Sequence, residues 1–407
     1  MKRLLFISHR VPYPPDKGER VRALEEIKAL SQHFDVTLAA LDDAPAGPDD
    51  PREKALRKWC SRVIFAPHAR PAALARGALR LLGGGCVTEG FFAHCRLART
   101  LKELTQRQPF DLVMGYSSGV LGLVLRAEAA VRIMDLVDVD SAKWRSYAAT
   151  SSWPRRWLFR REAEGVEAIE RCALQQCQAV TLVSQAEASL LGEGHDNLHV
   201  IGNGVDVTYF QRDSSSPPER CPSLVFTGTM NYRPNAEGIA WFVQEVWPGL
   251  RQRFADLTLN IVGRDPTPTV RKLSRYEGVN VTGSVPDVRP YLQSALAAVV
   301  PLRIARGVQN KVLEAMSMSL PVVGSPEALE GLDVRIGTDV LEAQTPQEWQ
   351  RQIQWLLLDT HRRWAMGHAA RLCVMEHYRW EAQMQRLVTL CETLLDASEP
   401  ATRRGET

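Results

Sequence analysis

Lys311 and Glu314 stand three residues apart in the stretch GVQNKVLEAMSMSLPVV (307–323), in an otherwise apolar helical pattern. Val312, Leu313 and Met316 make the apolar face, and Pro321 leads into the β-prone residues up to Val323. A glutamate on such a helix either points to water or is drawn inward to hold something. A helix that starts near residue 308 offers free backbone N–H groups and the positive end of its dipole. Asn310 and Lys311 fall in its first turn, where a lysine opposes the dipole unless an anion docks beside it. Gly307, just before, lets the backbone approach a phosphate closely. Glu314 lies one turn on, on the side that carries Asn310, and a carboxylate there can accept two hydrogen bonds from a vicinal diol such as a ribose. The pattern reads as nucleotide chemistry, against the plainer reading of a solvated lysine and a water-facing acid.

Other residues offer weaker signals. Gly228, Gly263 and Gly283 each end a strand-like run, and Gly18 follows a loop stiffened by three prolines. Each glycine could admit a phosphate or simply turn the chain into a helix. No G-x-G-x-x-G or P-loop pattern is present, so nicotinamide cofactors and Walker-type ATP binding lose their usual support. Asp138-Val139-Asp140 has the D-x-D spacing that can hold a divalent ion against a diphosphate. That motif belongs to a fold with one sheet, whereas this chain reads as two, so the residues are read instead as a surface turn or an N-cap for a helix starting near Ser141. Two basic, apolar stretches remain: HARPAALARGALRLLGGG (68–85) and SWPRRWLFRREAEGVEAIER (152–171). They suit either an anionic lipid surface or a solvated helix face whose arginines pair with Glu162, Glu164, Glu167 and Glu170.

The elements that must position these residues alternate from end to end. Apolar runs at 3–8, 35–41, 62–67, 111–116, 132–136 and 179–184 are separated by helix-length segments such as 18–33. That alternation implies parallel strands joined by crossover helices. It breaks at 202–222, a Gly-, Ser- and Pro-rich linker, then resumes: strands at 223–228, 257–263, 279–283, 297–302 and 320–324, and helices at 235–253, 267–276 and 308–319. The expectation is α/β: two doubly wound domains, 1–202 and 203–377, facing a cleft, with ligands beyond the carboxyl ends of the strands. Residues 377–395 read as an amphipathic helix with Leu387, Leu390, Cys391 and Leu394 on one side.

Composition agrees. A chain of 407 residues exceeds one core. Its 50 basic and 47 acidic residues leave a net charge of +3 and give no global reason to expect nucleic acid. The eight cysteines form no C-x-x-C pair and no zinc spacing, so reduced cytosolic thiols are expected. The five-residue apolar run after Met1-Lys2-Arg3 is too short for a signal sequence or a span, and no apolar stretch reaches the length that crosses a bilayer. A cytoplasmic protein is expected, peripheral at most on the inner face of the plasma membrane.

The stretch KVLEAMSMSLPVVGSPEALEG (311–331) resembles the donor-binding signature of family 4 glycosyltransferases of the GT-B fold. FTGTMNYRPNAEG (226–238) is similar to the first strand and turn of that family's nucleotide domain, and NGVDVTYF (203–210) to its interdomain segment. VTGSVPDVRPYL (281–292), with Val285, resembles the turn that faces the nucleotide base, and YRWEAQMQRL (378–387) the helix that crosses back to the first domain. Together with DLVDVDSAKWRSYA they look most like the exopolysaccharide sugar transferases linked to exosortase (PEP-CTERM) systems. The resemblance implies a retaining, metal-independent enzyme that moves a sugar from a nucleotide diphosphate to a glycan or polyprenyl-diphosphate-linked glycan. It places Gly18, Gly228, Arg233, Gly263, Val285, Gly307, Asn310, Lys311 and Glu314 around the donor, with Asp138, Lys311 and Glu314 as the catalytic set. The family's common Arg and Lys after the first strand of the nucleotide domain are absent in their usual form, which leaves Arg233 and Lys311 as the candidate cations for the diphosphate, and Asp138 stands where the family often has a histidine on the acceptor side. The chain departs from the pattern at Arg306, where a second glutamate is common. A sugar-nucleotide epimerase of the same fold, or a non-catalytic donor-binding subunit, are the alternative readings.

Overall fold

The computed structural model describes residues 1–45, 47, 49–192, 194–213, 222–305 and 307–398. Arg306, Cys221 and most of the second half of the expected linker lie outside the described residues. The chain divides into two compact units, Met1–Gly202 with Gln383–Thr407, and Asn203–Ala382.

The first unit holds seven parallel strands: β1 (Lys2–Ser8), β2 (Phe34–Asp42), β3 (Arg62–Pro67), β4 (Phe110–Tyr116), β5 (Ala129–Val137), β6 (Ala179–Leu182) and β7 (Leu198–Val200). The second holds six: β8 (Ser223–Thr227), β9 (Thr258–Val262), β10 (Val279–Gly283), β11 (Ala297–Val300), β12 (Val322–Gly324) and β13 (Leu341–Glu342). Their central strands are buried on both faces, Leu4–Ile7 and Leu224–Phe226 almost completely. Helices therefore cover both sides, and this is why these strands read as continuous apolar runs rather than alternating ones.

The strand orders are β3-β2-β1-β4-β5-β6-β7 and β10-β9-β8-β11-β12-β13. In each unit the chain winds outward over three strands, then returns to the other side of its first strand. The reversal falls between β1 and β4 in the first unit and between β8 and β11 in the second. Ligands of doubly wound sheets bind at the carboxyl ends of strands at such a point.

The helices that bear on function are α1 (Gly18–Leu30), α2 (Arg70–Leu82), α3 (Val87–Phe92), α4 (Asp140–Ala149), α5 (Arg155–Gln176), α6 (Arg233–Trp241), α7 (Asn310–Ser317) and α8 (Trp380–Ser398). The expected helix at 235–253 is three pieces: α6, a π turn over Phe242–Val246 in which the Trp247 N–H donates to Phe242, and a helix from Trp247 to Arg253. Pro248 has no N–H for an i−4 carbonyl, and the widened turn absorbs the loss. The helix expected from 308 starts at Asn310. On α8 the buried residues are Trp380, Gln383, Met384, Leu387, Val388, Cys391 and Leu395, so the buried stripe includes Leu387 and Cys391 but not Leu390 or Leu394, which are half-exposed. Among the described residues, all seven cysteines are free thiols, five of them buried.

Candidate functional site

The second unit assembles its chemistry where β8 and β11 diverge. Gly228 follows β8 at φ 153°, and a Cβ there would sit 2.7 Å from Asn235 Nδ2 and 3.0 Å from Lys311 Nζ. Gly263 follows β9 at φ 155°, and its Cβ would lie 1.7 Å from the Gly228 carbonyl oxygen. No side chain fits between these turns, which accounts for Gly263 by close backbone approach. The Gly228 N–H donates to Val262 (3.0 Å) and the Gly263 N–H to Gly283 (3.2 Å), tying the ends of three adjacent strands together.

Lys311, in the first turn of α7, reaches into this corner. Its ammonium donates to Asn235 Oδ1 at 2.5 Å and lies 4.7 Å from the centroid of the Phe226 ring. Asn235 is buried in the first turn of α6 and donates through Nδ2 to the Thr229 carbonyl at 3.0 Å, holding the turn after β8 against the lysine. Burial pushes the Lys311 amine down to about 7, against the raising influence of Glu314. Burial pushes the Glu314 carboxyl up to about 7, against Lys311. Glu314 is half-buried, and its carboxyl makes no hydrogen bond to any described residue.

The remaining donor candidates are placed less closely together. Gly307 has φ 63° ahead of α7. Asn310 Oδ1 accepts from Asn203 Nδ2 at 3.2 Å, which ties the start of α7 to the segment after residue 202. Arg233 opens α6 and pairs on the surface with Glu237 at 2.7 Å, both about half-exposed. Val285 is half-buried and packs on the core, leaving its main chain as what it could offer a ligand.

In the first unit, Gly18 begins α1 and Asp138 follows β5. Val137 adopts φ 70°, a region a β-branched side chain rarely enters. The strain sits on a fully buried network. Asp135 Oδ1 accepts from the Val137 N–H (3.1 Å) and from Thr181 Oγ1 (2.8 Å). Its Oδ2 accepts from Arg22 Nε (2.8 Å), which also faces Glu26 at 3.0 Å. Burial, then Glu187 and Asp140, push Asp138 up to about 7. His9, at the end of β1, stacks on Tyr116 at 5.8 Å, and burial pushes its imidazole down to about 4. Asp140 is the first residue of α4 and accepts from Ser118 Oγ at 3.1 Å. The N-cap role read for this acidic pair belongs instead to acids from elsewhere: Glu187 takes the Val139 N–H (2.6 Å) and Glu170 the Ser141 N–H (3.0 Å).

Asn235, Asn203 and the Asp135–Arg22–Glu26 network were not among the residues the sequence singled out. Asn235 left one signal, a helix-disfavoured residue in the first turn of a helix that has no need of it as a cap.

Residues 221–359 match the family described as Glycosyl transferases group 1. The matched stretch lies within the second unit, Asn203–Ala382. No curated protein sequence matches the chain. Among solved structures, sucrose-phosphate synthase from Thermosynechococcus elongatus superposes with a TM-score of 0.73 at 16% identity, over 97% of this chain and 100% of that one. HepE from Anabaena, in complex with UDP and glucose, gives 0.66 at 14% identity over 96% and 100%. WaaG, a glycosyltransferase involved in lipopolysaccharide biosynthesis, gives 0.65 at 16% over 95% and 99%. With its two parallel, doubly wound sheets, the chain has the GT-B fold.

Within the matched stretch, the corner at Gly228 combines a cation, the N–H groups at the start of α7 and an acid one turn along the same helix. The first two suit a polyphosphate and the third a diol. Among the described residues, no three or more His, Cys, Asp or Glu side chains come together as a metal cluster.

Proposed function

We propose that the chain is a retaining glycosyltransferase that moves a sugar from a nucleotide diphosphate donor to a glycan or polyprenyl-diphosphate-linked glycan. The observation that carries this reading is the Lys311–Glu314 pair on α7, at the switch point of a group 1 domain. The HepE structures with UDP and with UDP-glucose support the donor class. Lys311 and the α7 N–H groups stabilise the charge that builds on the leaving diphosphate. Glu314 holds the ribose diol and so sets the register of the reacting carbon. The bond from that carbon to the diphosphate breaks with its electron pair going to phosphate oxygen. An acceptor hydroxyl bonds to the same face of the carbon, and its proton passes to the departing phosphate. The first unit, around Gly18 and Asp138, supplies the acceptor side. The reaction needs no metal in this reading, and its setting is exopolysaccharide assembly of the exosortase-linked kind at the inner face of the plasma membrane.

The test is a thermal-shift panel of UDP, GDP, ADP and dTDP in EDTA, with wild type and Glu314→Ala. A nucleotide at a hundred times its Kd stabilises by about 2.7 kcal/mol. One nucleotide should shift the wild type and not the variant. The absence of any shift, with or without added metal, would sink the donor site. Turnover of the identified donor with and without a glycan acceptor then separates transfer from epimerisation.

A further inference from the structure

The carboxyl ends of β1, β4 and β5 lie side by side in the first unit, with Ser8 paired to Tyr116 and Tyr116 to Asp135. Ser117, the residue after β4, stands between His9 on one side and the end of β5 on the other. Among the described residues four that are not glycine have positive φ, and two of these, Ser117 and Val137, occupy adjacent strand ends. Ser117 has φ 79° and ψ 139°, which borders a region that in practice only glycine enters.

One residue holds both strained turns. The Asp135 carbonyl accepts from the Ser117 N–H at 2.8 Å, and its carboxyl accepts from the Val137 N–H. The Ser117 carbonyl in turn accepts from the Val120 N–H at 3.1 Å. Beside this turn Glu162 takes the Val87 and Thr88 N–H groups at 2.6 and 2.7 Å, which caps α3. That helix ends in Phe92, whose ring meets His9 edge-on at 5.8 Å and lies too close to Gly119 for a Cβ there.

Glycine would hold the backbone at residue 117 without strain, so a side chain is kept here against a steric penalty. The Ser117 hydroxyl makes no hydrogen bond to any described residue, and neither does the Asp138 carboxyl on the next strand end. Both residues are half-buried. Adjacent strands stand about 5 Å apart, so a hydroxyl and a carboxyl face the same small space. Together they suit two hydroxyl groups on one ligand.

We infer that Ser117 is an acceptor-binding residue that sets specificity: the acceptor is a sugar ring with two neighbouring hydroxyls, of which Asp138 holds the attacking one and Ser117 the one beside it. A phosphate acceptor fits poorly, because the acids Asp138 and Asp140 would face it. The inference rests on the transferase reading and deepens it by naming what the acceptor must carry.

The experiment is saturation-transfer NMR on the full chain, with the nucleoside diphosphates of the thermal-shift panel present. The probes are the methyl pyranosides of glucose, galactose, mannose and N-acetylglucosamine, their monodeoxy analogues, and farnesyl phosphate. Wild type should bind at least one pyranoside. Loss of one hydroxyl from that sugar should weaken binding about ten-fold, and Ser117→Ala should do the same. The two losses should not add, because both delete one hydrogen bond. Ser117→Gly should match Ser117→Ala in sugar binding while its Tm is no lower than that of the wild type, since glycine accepts this backbone. Binding of no pyranoside, wild-type affinity in both variants, or losses that add for every deoxy sugar would overturn the assignment. So would binding of farnesyl phosphate in place of the sugars, or a fall in Tm for Ser117→Gly, which would assign the residue to folding. Sugar binding through Ser117 with no nucleotide shift would sink the donor site and leave this inference standing. A nucleotide shift without sugar binding would do the reverse.

Discussion

Lys311 and Glu314 carry opposite signs toward a nucleotide, and their displaced titrations make that testable. In the free protein both groups lose their protons near pH 7, the lysine from above that value and the acid from below. A docked diphosphate favours the ammonium and raises its pKa, so binding takes up a proton. That contribution is fully present below about pH 7 and is lost as pH rises above it. A diol donating to Glu314 favours the carboxylate and lowers its pKa. That contribution is present above about pH 7 and is lost as pH falls. Nucleotide affinity measured by titration calorimetry should therefore peak near neutrality. Lys311→Met should weaken binding at least about ten-fold and abolish the alkaline fall, while Glu314→Gln should abolish the acid fall. Wild-type pH profiles in both variants would remove the pair from the site.

At the scale of elements, the ends of β8 and β9 make a sharper claim than any helix. Gly263→Ala puts a methyl 1.7 Å from the Gly228 carbonyl, so the two turns must part. We expect a loss of about 3 kcal/mol of stability in denaturant and weaker nucleotide binding, because Gly228 lies against Lys311. Gly283→Ala is the control: its φ of 72° is equally special, but nothing stands within 4 Å of the new methyl. It should cost only about 1–2 kcal/mol, and equal losses at the two positions would refute the close-approach account. These elements also show what could be read from the sequence. The central strands were legible because burial on both faces makes them apolar throughout. The edge strands β7 and β13, three and two residues long, carry too little pattern to see. Strand order is a property of the folded sheet, so the meeting of Asn235 with Lys311 across 76 residues had no local trace. The acids of α5 had the spacing of partners for its arginines. Capping of other helices took Glu162 and Glu170 instead, a competition no linear spacing reveals.

Across the whole molecule, Gly228, Asn235, Gly263, Gly307, Lys311 and Glu314 all fall in the second unit, while Gly18 lies in the first. The first unit offers a different resource at its own strand ends. Asp138 is held up to about 7 beside the strained Val137, on a turn whose backbone is pinned by the buried Asp135–Arg22 pair. Strain kept by a buried ion pair is expensive unless it serves a purpose, and in the proposed reaction the Asp138 carboxyl on this turn holds the acceptor hydroxyl whose proton passes to the departing phosphate. Donor binding and group transfer should then separate by unit. Asp138→Asn should leave nucleotide affinity within about two-fold and lower transfer to acceptor at least about a hundred-fold, whereas Glu314→Gln should lower both. Calorimetry and donor turnover on the same preparations provide the comparison. Equal loss of nucleotide affinity in the two variants would mean that Asp138 serves the donor, and unimpaired transfer by Asp138→Asn would assign the strained turn to folding alone.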